Sequence, residues 1–122
     1  MLQDGLTQWL KKIENCSPLK INMGLDRVKK IQERMALYFD CPIIVVGGTN
    51  GKGSVCAMLE SILLASGFKV GLYTSPHITR FNERIKICGS EVNDAKLIDA
   101  FEHIDKIKSD SSLTYFEWAT LA

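Results

Sequence analysis

Apolar positions recur every three or four residues at the start of the chain. Leu2, Leu6, Trp9, Leu10 and Ile13 share one face, which predicts an amphipathic helix. Asn15-Cys16-Ser17-Pro18 breaks it, because a proline pushes the preceding residue out of helical backbone. The stretch from Pro18 to Gly24 then reads as a loop. A second helix is expected with Leu25, Val28, Ile31 and Met35 inward and Arg27, Lys29, Lys30, Gln32 and Glu33 largely outward, stopping at Asp40-Cys41-Pro42.

The rhythm then changes. Ile43-Ile44-Val45-Val46 is β-branched and does not alternate, which suits a parallel strand covered on both faces. A glycine-rich turn follows, from Gly47 to Gly53. Val55, Met58, Leu59, Ile62 and Leu63 form a third helical stripe, closed by Ser66-Gly67 as a glycine cap. Lys69 to Tyr73 reads as a second strand, so strand, turn, helix and strand make a βαβ unit. Thr74 to Glu83 is a polar loop containing Pro76, and Arg84 to Cys88 alternates weakly as a further strand ending at Gly89-Ser90. Asn93 or Asp94 caps a fourth helix carrying Leu97, Ile98, Phe101 and Ile104. A turn at residues 108–112 precedes a last helix, from Leu113 to Ala122, that meets no stop signal. The expected fold class is α/β, a parallel sheet of the P-loop NTPase kind with flanking helices. Such a sheet is normally larger than one βαβ unit, so the sequence reads as cut within a domain.

Composition narrows this little. The chain has 122 residues, 46% of them apolar and 24% charged, as in an ordinary globular domain. Fifteen basic against 14 acidic residues give a net charge of +1, with no broad basic face for nucleic acid. No secretory leader and no membrane-spanning run stand out, and no membrane partner is expected. The four cysteines form no CxxC pair, so a zinc knuckle is not expected. Reduced, mostly buried thiols in a cytoplasmic protein are expected instead. Trp9 and the helical methionines are expected in the core.

Chemistry concentrates at Gly47-Gly48-Thr49-Asn50-Gly51-Lys52-Gly53-Ser54, between a hydrophobic strand and a helix. Glycines let backbone N–H groups turn towards an anion, and the helix N-terminus adds free donors and partial positive charge. Lys52 stands where it reaches β- and γ-phosphates, and a nearby hydroxyl can hold Mg²⁺. The match to GxxxxGK[ST] is imperfect, since Val46 replaces its first glycine and the hydroxyl comes one position late, at Ser54.

From Gly48 to Ser54 this variant resembles the phosphate loop of the Mur ligase superfamily. Tyr73-Thr74-Ser75-Pro76-His77-Ile78, running into Arg80-Phe81-Asn82-Glu83-Arg84-Ile85, looks like the loop after the second strand in folylpolyglutamate synthases. Leu113-Thr114-Tyr115-Phe116-Glu117 looks like their substrate-side motif, and Met23-Gly24-Leu25-Asp26-Arg27-Val28 resembles the start of their N-terminal helix. The likeness covers nearly the whole chain in the family's order, and is nearest the bifunctional bacterial members that make dihydrofolate and its polyglutamates.

That resemblance implies a fold and a reaction. The fold is the Mur ligase central-domain type, truncated: a helical lead-in over residues 1–42, an incomplete P-loop core over residues 43–122, and no C-terminal domain. The reaction is ATP-dependent ligation of L-glutamate to dihydropteroate or to a folate (poly)glutamate, through an acyl phosphate, in folate biosynthesis. Gly48, Thr49, Asn50, Gly51, Lys52, Gly53 and Ser54 would bind ATP, with Lys52 catalytic. Ser75 would be a magnesium ligand, with Ser54 as the generic alternative. Lys20, Ile21, Asn22 and Met23 would line the pteridine site together with Thr114, Tyr115, Phe116 and Glu117. His77, Arg80 and Arg84 are further candidates. The resemblance implies ATP, dihydropteroate or folate, and L-glutamate as partners, Mg²⁺ as cofactor, and monomeric full-length relatives. By itself the chain is expected to bind ATP without turnover. Two alternatives stand beside this reading: another Mur-type amino-acid ligase, and a non-catalytic nucleotide-binding fragment.

Overall fold

A computed structural model describes residues 2–16 and 24–122 of the chain. In chain order the elements are α1 (Leu2–Cys16), α2 (Asp26–Met35), α3 (Lys52–Ala65), β1 (Gly71–Tyr73), a 3₁₀ turn (Phe81–Arg84), β2 (Ile85–Ile87), β3 (Ser90–Glu91), α4 (Asp94–Lys108) and α5 (Tyr115–Leu121). They fall into two compact units, one of residues 1–40 with 94–122, the other of residues 41–93.

The first unit is helical and holds most of the core. Leu97, Phe101 and Ile104 lie four and three residues apart, hence on one face of α4, and all three are buried. Leu6 and Ile13 of α1, Ile31 of α2, and Leu113 and Trp118 at α5 are buried with them. Burying each such side chain contributes about 1.5–3 kcal/mol. Half-buried Trp9 joins an aromatic cluster, its ring centroid 6.1 Å from Phe101 and 6.2 Å from Trp118. Phe101 meets Trp118 edge-on at 6.1 Å, a favoured geometry for two ring quadrupoles. Lys12 covers the rim, its Nζ 4.4 Å from the Trp9 ring and 2.8 Å from Asp105.

Two expectations for α2 change here. It ends at Met35, well before Asp40-Cys41-Pro42, because Ala36 takes the left-handed conformation (φ 52°). The Ala36 and Leu37 N–H groups then bond back to the carbonyls of Glu33 and Gln32, a Schellman closure without glycine. Leu25, expected inward, is 78% exposed because it caps the helix from outside its apolar stripe.

The second unit carries α3 and a three-stranded sheet, ordered β1-β2-β3 and antiparallel throughout. Leu72 faces Lys86 across the first pair, and Lys86 faces Glu91 across the second. Cys88 and Gly89 join β2 to β3 with φ of 49° and 85°, the two positive values that a tight hairpin turn requires. Gly67 (φ 85°) closes α3 as expected, with the Phe68 N–H bonded to the Leu63 carbonyl.

The chain is α/β, but the expected parallel pairing is not among the described residues. Ile43-Ile44-Val45-Val46 takes part in no strand ladder, and Ile43, Ile44 and Val45 are 63%, 59% and 86% exposed. A strand exists only where a neighbour takes up its backbone N–H and C=O groups, and no described strand lies against this run. The same lack of cover explains α3, apolar nearly all round yet without a fully buried side chain. Met58 is therefore exposed rather than core. The thiols are free as expected but not buried. Cys16, Cys41 and Cys88 are exposed and Cys56 is half-buried, since they stand at a helix end, in a connection, in a turn and on uncovered α3.

Candidate functional site

The glycine loop has the backbone that its sequence requires. Gly48 and Gly51 have φ of 155° and 80°, a region that costs an L side chain about 1–2 kcal/mol. Gly51 directly precedes α3, so the first-turn N–H groups, including those of Lys52, Gly53 and Ser54, have no acceptor inside the helix. Residues 47–54 are all exposed. Lys52 Nζ donates to the Gly48 carbonyl at 2.6 Å, closing the loop on itself and holding the ammonium over the glycines. This is an exposed, positively polarised loop at a helix N-terminus, the kind of chemistry that suits a polyphosphate.

The loop after β1 is organised by Glu83. Its carboxylate accepts the backbone N–H of Ile78 (2.9 Å), Thr79 (2.9 Å) and Arg80 (2.7 Å). These bonds, Ile78 first, hold the Glu83 carboxyl below its ordinary pKa, against the opposing effect of burial. Buried Arg84 donates Nε–H to His77 Nδ1 at 2.8 Å, and both groups flank the Phe81 ring. Arg80 pairs with Glu91, and buried Asn82 donates to the Val92 carbonyl at 2.9 Å. The structure thus brings His77 and Arg84 together as a pair and ties Arg80 to the sheet edge. Ser75, joined to Pro76 by a cis peptide, stands exposed before them.

The third group lies in the helical unit. Lys20, Ile21, Asn22 and Met23 fall outside the described residues. Thr114 caps α5 with a reciprocal box: its Oγ1 accepts the Glu117 N–H at 3.2 Å, and Glu117 Oε2 accepts the Thr114 N–H at 2.9 Å. Glu117 is buried and also receives Arg27, whose Nη2 lies 2.5 Å from Oε1 and whose Nε lies 3.4 Å from Oε2. That bond raises the Arg27 pKa further above its ordinary value, with burial opposing. Between the two ends of the box, Tyr115 is half-buried and Phe116 is 56% exposed. Sequence reasoning missed Arg27, which it placed on the outer face of α2, and missed the role of Glu83. The Thr-x-x-Glu spacing is itself a capping signal.

No group of three or more His, Cys, Asp and Glu placed to hold a metal occurs among the described residues. No described helix is long and apolar enough to cross a membrane.

No family model matches the chain. It is 42% identical over 118 residues to the dihydrofolate synthase/folylpolyglutamate synthase of Escherichia coli, an alignment covering 96% of this chain and 28% of that protein. Its backbone superposes on E. coli FolC in complex with DHPP and ADP with a TM-score of 0.90, at 43% identity, over 95% of this chain and 28% of that one. Nearly the whole chain thus matches one stretch of the dihydrofolate synthase/folylpolyglutamate synthase family. A bifunctional member of that family solved with Mn, AMPPNP and L-glutamate bound matches at 46% identity and a TM-score of 0.86, again over 95% of this chain and 28% of that one. The chain therefore spans little more than a quarter of the length of these relatives.

Proposed function

We propose that this chain supplies the ATP phosphate loop and part of the acid-substrate site of a ligase that joins L-glutamate to dihydropteroate, to a folate (poly)glutamate, or to both. The observation that carries this reading is the glycine loop. Left-handed Gly48 and Gly51, with Lys52 at the head of α3, occur in a chain 42% identical to a dihydrofolate synthase/folylpolyglutamate synthase. A relative solved with Mn, AMPPNP and L-glutamate supports a divalent metal, a nucleotide and an amino-acid co-substrate for the same chemistry. In this reading residues 1–122 are the N-terminal part of a Mur-ligase-type ATP-binding domain.

The residues divide the work as follows. Backbone N–H groups from Gly48 to Ser54 wrap the polyphosphate. Lys52 exchanges the Gly48 carbonyl for the β- and γ-phosphates and offsets the charge that builds as the γ-phosphoryl passes to the substrate carboxylate. The glutamate amine then attacks the acyl phosphate, phosphate leaves and an amide forms. The exposed hydroxyls of Ser75 and Ser54 are hard oxygen donors. They fit Mg²⁺, which keeps much of its shell as water and substrate phosphate rather than an all-protein cage. The ion would supply charge neutralisation at the transferring phosphoryl group. Phe116 offers an exposed ring face to a flat heteroaromatic substrate. The protein is read as cytoplasmic and its full-length relatives as monomers, and this chain by itself as binding ATP without turnover.

Equilibrium binding in the presence of a non-hydrolysable ATP analogue tests this. Dihydropteroate is expected to bind, and a nucleotide-linked cell-wall precursor is not. The reverse preference would reassign the chain to another amino-acid ligase.

A further inference from the structure

We infer that Arg27 is a positioning residue for the acid-substrate site, acting through Glu117, and that Glu117 orients this site without touching the substrate. The inference rests on the functional reading above, with the acid substrate against residues 114–117.

Of the four residues at 114–117, the outer two are committed to each other. Thr114 Oγ1 takes the Glu117 N–H, and the Glu117 carboxylate takes the Thr114 N–H. Both residues are buried. Glu117 has one oxygen 2.5 Å from Arg27 Nη2 and the other shared between Arg27 Nε and the Thr114 N–H. A carboxylate so engaged, on a buried residue, has little left to offer a ligand. The box instead fixes the backbone that presents Tyr115 and the exposed ring of Phe116.

Arg27 extends that box beyond α5. It stands in the first turn of α2, so it ties that turn to the start of α5. Its planar fork addresses both carboxylate oxygens, a geometry that lysine does not reproduce. The side chains of Arg27 and Glu117 are only 27% and 7% exposed, which limits screening by salt. Removing the guanidinium leaves a buried carboxylate with a weaker partner and loosens the start of α5 from α2.

The test compares the 122-residue chain with its Arg27→Gln and Arg27→Lys variants, each checked for folding by thermal melt. Dihydropteroate affinity, Mg-ATP affinity and hydrogen exchange at the Thr114 amide are measured. Arg27→Gln is expected to weaken dihydropteroate binding about tenfold, to leave Mg-ATP affinity within about twofold, and to speed Thr114 exchange. Arg27→Lys is expected to fall between wild type and Arg27→Gln, and it carries the test if Arg27→Gln does not fold. Unchanged dihydropteroate affinity, or equal losses for both ligands, in a folded variant overturns the inference. Unchanged Thr114 exchange overturns it by itself. Failure of the wild-type chain to bind dihydropteroate overturns the functional reading and the inference with it, a result distinct from loss in the variant alone.

Discussion

Arg84 donates its Nε–H to His77 Nδ1 across 2.8 Å, with the Phe81 ring against both. The bond assigns His77 the tautomer whose proton sits on Nε2, because Nδ1 is the acceptor. It also joins two side chains from opposite ends of one loop, so the segment that begins at Ser75 is anchored where it enters β2. Arg84→Lys removes the planar donor and weakens the contact with Phe81. A loss of about 1–2 kcal/mol is expected, read from the urea midpoint.

Glu83 makes the same loop sensitive to acid. Its three N–H donors stabilise the charged carboxylate, so its folded pKa lies below the unfolded one. In that case the unfolded chain binds more protons, and stability rises with pH. The Glu83 contribution is complete above the ordinary carboxylate range and fades as pH falls through the depressed folded value. Glu83→Gln is expected to lower stability at neutral pH and to flatten the acid limb of a stability–pH curve. An acid limb identical to wild type would show that the three bonds do not favour the charged form.

Ala36 is left-handed where glycine is the usual helix cap. Relief of the Cβ clash outweighs the extra freedom that glycine has in the unfolded chain. Ala36→Gly is expected to raise stability by about 0.5–1 kcal/mol, measured by thermal unfolding.

Phe101 is fully buried and touches both tryptophans of the cluster. Truncation to alanine removes its transfer free energy and leaves a cavity, so Phe101→Ala is expected to cost about 3–5 kcal/mol. Loss of the near-ultraviolet circular dichroism of Trp9 and Trp118 in a chain that keeps its helical signal would localise the effect to this core.

Much of this was legible locally. Helical stripes placed Leu97, Phe101 and Ile104 on one face, and glycine spacing marked both the positive-φ turn before α3 and the cap at Gly67. Those signals are readable because the bonds involved close within a few residues. Arg27–Glu117 and Arg84–His77 were not legible, since nothing near a residue in sequence announces a partner set by tertiary packing. The run at residues 43–46 shows the converse. Its composition is that of a buried strand, yet a strand is a relation between segments, and no described segment pairs with it.

The most direct measurement is Mg-ATP titration of the chain by calorimetry, beside Lys52→Ala. Saturable binding, weakened at least about tenfold in the variant, is expected if the loop from Gly48 to Ser54 holds the nucleotide phosphates. Equal affinity in the two proteins, with both folded, would contradict it.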